Sequence, residues 1–148
     1  MESDDTPPDA TIVFSTATAT ELVTFIARAV DKDFVHAIPR VTDRICEDRF
    51  AGLPQARVLM DAFVGRCDAM ADEALARGDQ DEAWHALDMV VLIQQKYVIA
   101  RRMWRAFRTV NDANTSEAQK QTARAAIADL CRRWPEARTY VQQHEGVN

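Results

Sequence analysis

The sequence predicts an all-α protein, an elongated single-domain helical bundle of five or six helices with one long central helix at about 80–110. Three observations predict it. Apolar residues recur at helical spacing along most of the chain, and no second strand-like run exists for a sheet to form. The 148 residues include only four Gly and five Pro, too few for a protein of strands and tight turns. Neither Gly nor Pro interrupts residues 80–110. A chain of this length is one domain's worth, and 47% hydrophobic with 28% charged residues is enough apolar material for a core.

The elements follow in order. Residues 1–9 (MESDDTPPD) are acidic, carry a Pro pair and lack apolar residues after Met1, which reads as a disordered amino terminus ahead of a bundle over 10–146. The run Ala10–Phe14 has strand-like composition but nothing to pair with. It reads as an extended arm docked on the helical body, with docking on a second copy as the alternative and so a route to a homo-oligomer. Thr18-x-x-Glu21 has capping-box spacing, so a first helix runs from about 19 to 31 and buries Leu22, Phe25, Ile26 and Ala29. Residues 33–38 read as a turn or short helix. Pro39 suits a first helical position, where its missing N–H costs nothing, and opens a second helix to Phe50 with Val41, Ile45 and Phe50 inward and Gly52 as the stop.

Pro54 opens a third helix whose inward stripe is Leu59, Phe63, Met70 and Ala74, and Gly78 ends it. Gly65, inside that helix, costs roughly 1 kcal/mol against Ala and suggests close approach of another helix. Asp79-x-x-Glu82 caps the fourth helix, making 54–111 a helical hairpin. Asn114-x-x-Glu117 caps a fifth, 115–132, and Pro135 begins a short sixth carrying Tyr140 and Val141.

The fourth helix is the unusual one. At 1.5 Å per residue it spans roughly 46 Å, longer than the ~38 Å diameter of a compact sphere of this chain length. An elongated bundle accommodates it, in preference to a kink near Gln94-Gln95-Lys96. Its apolar residues change sides. Ala83, Trp84, Leu87, Val90 and Val91 cluster on one face early, and Ile99, Met103, Ala106, Phe107 and Val110 on nearly the opposite face late. The early part therefore packs on helix three and the late part on helices five and six, with some apolar surface left for a partner chain.

Charge is lopsided. Residues 1–93 hold 8 Lys/Arg and 18 Asp/Glu, whereas residues 94–140 hold 10 basic and 4 acidic residues, against a net −5 for the whole chain. Such asymmetry points to an oppositely charged partner. The basic residues peak in KYVIARRMWRAFR, 96–108, where Arg101, Arg105 and Arg108 recur at i, i+4 and i+7 with Tyr97 and Trp104 flanking. Planar guanidiniums beside aromatic rings suit carboxylate or phosphate. Tyr97, Arg101, Trp104, Arg105 and Arg108 are accordingly the candidate partner-binding residues. The competing reading is a solvated Arg face with core aromatics and ion pairs to the acidic half.

A protein partner with an acidic patch ranks ahead of nucleic acid, because overall acidity opposes non-specific approach to a polyanion and no nucleic-acid-binding signature is present. Glu82-x-x-His85 matches half of a carboxylate-bridged metal motif, but no second copy exists. No glycine-rich phosphate loop, G-x-S-x-G or H-E-x-x-H occurs, and nothing local activates Cys46, Cys67 or Cys131. No catalytic, cofactor-binding or metal residue is therefore assigned. Three thiols at long spacing suit a reducing, cytoplasmic setting. No run approaches the roughly 20 apolar residues of a membrane span, and the acidic amino terminus is the wrong sign for a secretory leader.

Residues Ala76–Leu87 resemble the inter-helix part of a tetratricopeptide repeat, with Gly78, Ala83 and Leu87 at the expected places. The preceding helix departs from the pattern at Cys67, Ala71 and Ala74, no 34-residue period recurs, and the following helix is too long. The family is not assigned, and no peptide-binding groove is carried over from it. The expected role is a non-catalytic helical protein-interaction module: an adaptor, a chaperone-like subunit or an inhibitor of a larger protein. A nucleic-acid-associated regulator using the same Arg face is the alternative.

Overall fold

Six α-helices and one short 3-10 turn account for most of residues 12–147, the part of the chain that the computed structural model describes; no strand occurs among them. The helices are α1 (Ala19–Arg28), α2 (Asp31–Phe50), α3 (Gln55–Ala76), α4 (Gln80–Asn111), α5 (Glu117–Arg133) and α6 (Arg138–Val147), with the 3-10 turn at Pro135–Ala137. The acidic segment 1–9 lies outside the described residues.

The arm docks within its own chain. It is a turn rather than an extended strand, since the amides of Thr16 and Ala17 donate to the Val13 carbonyl at 3.1 and 2.9 Å. Phe14 is buried edge-on against Phe25, ring centroids 5.4 Å apart. Arg44 of α2 secures it by donating from one terminal nitrogen to the Phe14 and Ala17 carbonyls at 2.9 and 2.6 Å, while its Nε donates to Asp48 at 3.0 Å. These bonds satisfy carbonyls that a buried turn would otherwise leave orphaned.

Thr18 and Glu21 form the expected reciprocal cap, with the Glu21 amide donating to Thr18 Oγ1 at 3.1 Å and the Thr18 amide to Glu21 Oε1 at 2.8 Å. α1 ends three residues before the predicted point. Ala29 and Val30 are extended and form a sharp corner into α2, where Arg66 of α3 donates to the Ile26 and Ala29 carbonyls at 2.6 and 2.8 Å. α2 then begins at Asp31, and Pro39 lies inside it rather than at its start. Proline there removes one backbone bond and leaves the Val35 carbonyl without its donor. Val35 and Pro39 are both exposed, so water can hydrate that carbonyl, while Phe34, Ala37, Val41 and Ile45 form an unbroken buried face. The gain from burying that face outweighs the local loss.

α2 and α3 end alike. Gly52 and Gly78 take φ of +75° and +79°, and the amides of Leu53 and Asp79 reach back to Asp48 and Ala74 at 3.0 and 2.8 Å. This is the Schellman ending, in which a left-handed residue lets the chain recapture the last carbonyls. The cap of α5 is Ser116, not Asn114: Ser116 and Gln119 exchange reciprocal bonds, while the Asn114 amide donates to Asp112 Oδ1 in the preceding turn.

α4 is one uninterrupted helix of 32 residues, ~48 Å long. Its first turns cross α3 through small residues, Ala83 and Ala86 against Ala71 and Ala74. Its middle enters the main core with Ile93 and Ala100, which join Ile45 and Cys46 of α2 and Leu59, Phe63 and Cys67 of α3. Its last third packs Ile99 and Met103 against Ala137, Leu130, Trp134 and Tyr140. The alanine crossing sets the rotation of the helix, and that rotation corrects one expectation: Trp84 and Val91 face outward, 60% and 63% exposed. Gly65 is corrected as well. It is exposed, and a Cβ there would meet nothing within 4 Å, so no helix approaches it.

Candidate docking face on the long helix

Residues four, seven and eleven apart fall on one line of a helix, so Tyr97, Arg101, Trp104 and Arg108 share one strip of α4. Arg105 lies to one side of it. The strip faces the carboxyl end of α2, and that end supplies two residues sequence reading did not single out. Gly52 lies directly beneath the Trp104 indole. A Cβ at Gly52 would overlap the indole Nε1 and stand 2.5 Å from Cε2, so only glycine lets the ring settle there. Arg49 lays its guanidinium carbon 5.3 Å from the Trp104 ring centroid and 5.7 Å from that of Tyr97.

Arg108 adds a second cation, also 5.3 Å from the Trp104 centroid. The indole thus holds two guanidiniums, each worth about 0.5–1 kcal/mol at a site of this exposure. Tyr97, Arg101 and Trp104 are half-buried; Arg105 and Arg108 are exposed. The Nε atoms of Arg49 and Arg101 are buried with no hydrogen-bond partner. The aromatics are therefore neither free-standing docking anchors nor fully interior. They form a platform on which Arg49 and Arg108 stack, Arg108 at the solvent edge.

Charge pairing separates these arginines from others in the chain. Arg44 is paired with Asp48 at 3.0 Å, and Arg66 with Asp31 at 2.8 Å. Both also bind backbone carbonyls and are stitches of the fold. Among the described residues, Arg49, Arg101, Arg102, Arg105 and Arg108 have no carboxylate within ion-pair distance.

Arg105 and Arg102 point to a different feature. They border a groove of about 1270 Å³ between α4 and α5, whose walls include Val91 and Val98 of α4 and Ala126 and Arg133 of α5. Ala123 is the one buried residue of α5, with Ile127, Leu130 and Cys131 partly buried beside Ile99 and Met103. The predicted arginine line is therefore divided: Arg101 and Arg108 belong to the Trp104 platform, Arg105 to the groove.

Glu82 pairs with Arg77 and His85 is exposed. His144 stacks on Phe107, centroids 4.2 Å apart. Among the described residues no three His, Cys, Asp or Glu side chains are grouped as metal ligands would be. Burial pushes the Cys46 and Cys67 thiols up to about 11, so both are protonated and poor nucleophiles at neutral pH. Burial, with Cys46 alongside, also raises the Tyr140 phenol well above its usual range. No helix among the described residues is long and apolar enough to cross a membrane.

No protein-family model, no curated protein and no solved structure matches this chain.

Proposed function

We propose that this protein is a non-catalytic interaction module that docks an acidic patch of a protein partner onto the arginine and aromatic face of α4. The observation that carries the reading is the set of arginines around Trp104 without carboxylate partners among the described residues, in a chain whose net charge is negative. An unpaired, partly desolvated guanidinium gains more from a carboxylate than a fully hydrated one does, because the local dielectric is lower. Arg49, Arg101 and Arg108 supply the charge, and Tyr97 and Trp104 form the apolar bed beside it. Arg and Trp at the centre of a contact are the usual composition of an interface hot spot.

A reducing, cytoplasmic setting goes with this reading, supported by three unpaired cysteines. The test is affinity capture from the cell of origin with the wild type and an Arg108→Glu variant. Its side chain is exposed, so the helical circular dichroism signal is expected to persist while the captured partner is lost. A partner retained equally by the variant would overturn the reading. Recovery of nucleic acid in place of protein, with affinity falling steeply as salt rises, would favour the regulator alternative.

A further inference from the structure

We infer that the groove between α4 and α5 is the seat of an acidic amphipathic helix supplied by a partner protein. The inference rests on the interaction-module reading but places the contact on a different side of α4 from the Trp104 platform. Four exposed large apolar residues, Trp84, Val91, Leu92 and Val98, lie on this one helix. Three of them, Trp84, Val91 and Val98, recur every seven residues and so form a single line. Val91 and Val98, 63% and 47% exposed, lie in the groove wall. Apolar surface gathered on a line, instead of scattered singly, marks a contact surface.

The shape of the groove selects a helix. α5 extends only ~25 Å along the ~48 Å of α4, and two helices side by side leave a channel that a third helix fills by ridge-into-groove packing. Ala118, Thr122 and Ala126 keep the α5 wall low. Anchors seven residues apart match the two-turn repeat of a helical ligand. No sheet edge exists among the described residues for a ligand strand to extend.

Charge selects the ligand's sign. Arg102, Arg105 and Arg133 line the groove with no carboxylate partner among the described residues. The one carboxylate in the lining, Asp129, is paired with Arg132. A basic helix would bring like charges together, and a phosphate backbone would have nothing to place on Val91 and Val98. Glutamates or aspartates flanking an apolar stripe satisfy both the floor and the rim.

The experiment uses the full chain and a labelled synthetic helix of about 18 residues, five turns, with Leu along one face and Glu on its flanks. Fluorescence anisotropy compares it with a Glu→Lys version and with a scrambled peptide that has no apolar face. The acidic amphipathic peptide is expected to bind about tenfold or more tightly than either control. Val91→Asp and Val98→Asp, both at exposed positions that leave the core untouched, are expected to weaken it by a similar factor. Arg102→Glu/Arg105→Glu is expected to reverse the preference towards the Lys peptide. Hydrogen-exchange protection is expected over 91–106 and 118–133.

Absence of binding up to roughly 0.1 mM, equal binding of the scrambled peptide, or protection elsewhere would each overturn the assignment. So would a sedimentation result in which the free chain self-associates through this groove and Val98→Asp makes it monomeric, since the occupant would then be a second copy. Arg108→Glu separates the two readings, because it leaves the groove intact and removes part of the Trp104 platform. Unchanged peptide binding with loss of the cellular partner tests the platform alone.

Discussion

Gly52 and Gly78 provide an internal comparison that measures how tightly Trp104 is seated. Both end a helix with the same pattern of hydrogen bonds and nearly the same positive φ, +75° and +79°. They differ in what surrounds them: nothing lies within 4 Å of a Cβ placed at Gly78, whereas at Gly52 that position is filled by the Trp104 indole. Gly78→Ala therefore carries only the backbone penalty of a left-handed alanine, ~1–2 kcal/mol. Gly52→Ala carries the same penalty and must also push the indole off α2. That forfeits two guanidinium contacts of about 0.5–1 kcal/mol each, and some packing besides. Gly52→Ala is expected to cost ~1–2 kcal/mol more than Gly78→Ala. The assay is urea unfolding followed by circular dichroism, with a shifted midpoint and unchanged slope as the signature of a stability effect. In a Trp104→Ala background the excess is expected to vanish. Equal costs for the two glycines, or an excess that survives without Trp104, would refute the account of the platform.

Other perturbations test the rest of the structure. Arg44→Ala leaves Asp48 buried without its partner and frees the Phe14 and Ala17 carbonyls, so a loss of about 3–5 kcal/mol is expected in the same assay. Gly65→Ala, in an exposed helical position with open space around it, is expected to stabilise by about 0.5–1 kcal/mol, seen as a higher urea midpoint. Alkaline titration tests the buried thiols. Their folded pKa of about 11 lies above the ordinary 9.0, so as pH rises the unfolded chain releases these protons first. Stability from this source is intact below pH 9 and declines between pH 9 and 11, by about 2–3 kcal/mol per thiol, as urea midpoints across that range would record. In a disulfide-exchange reagent at neutral pH, half-buried Cys131 is expected to react before Cys46 and Cys67.

Much of the helix plan was legible because its punctuation is local. Thr18 and Glu21 signal a helix start within four residues, Gly52 and Gly78 signal stops, and the absence of any breaker over 80–110 predicts the long rod that α4 proves to be. The departures arise where two local signals compete or where a distant surface intervenes. Asn114 and Ser116 both offer a cap, and Asp112 settles the matter by engaging the Asn114 amide. Pro39 reads as a helix start until the buried face running from Phe34 to Ile45 is seen to carry the helix through it. Arg49 and Gly52 carry no local mark of a role in the candidate site. They join it only because α2 ends against α4, some fifty residues further along the chain.

By itself, then, the sequence determined the fold class, the helix breaks, the unbroken length of α4 and the opposition between an acidic first part and an arginine-rich later one. Each of these is set by neighbours in the chain, through backbone hydrogen bonding, permitted φ or simple charge count. Only the tertiary structure decided which side of α4 faces inward, which arginines pair, and where a groove remains. Those outcomes depend on the rotation at which helices pack. Here a contact among four alanines, Ala71, Ala74, Ala83 and Ala86, turns Trp84 and Val91 towards solvent, which helical periodicity within α4 alone had assigned to the core.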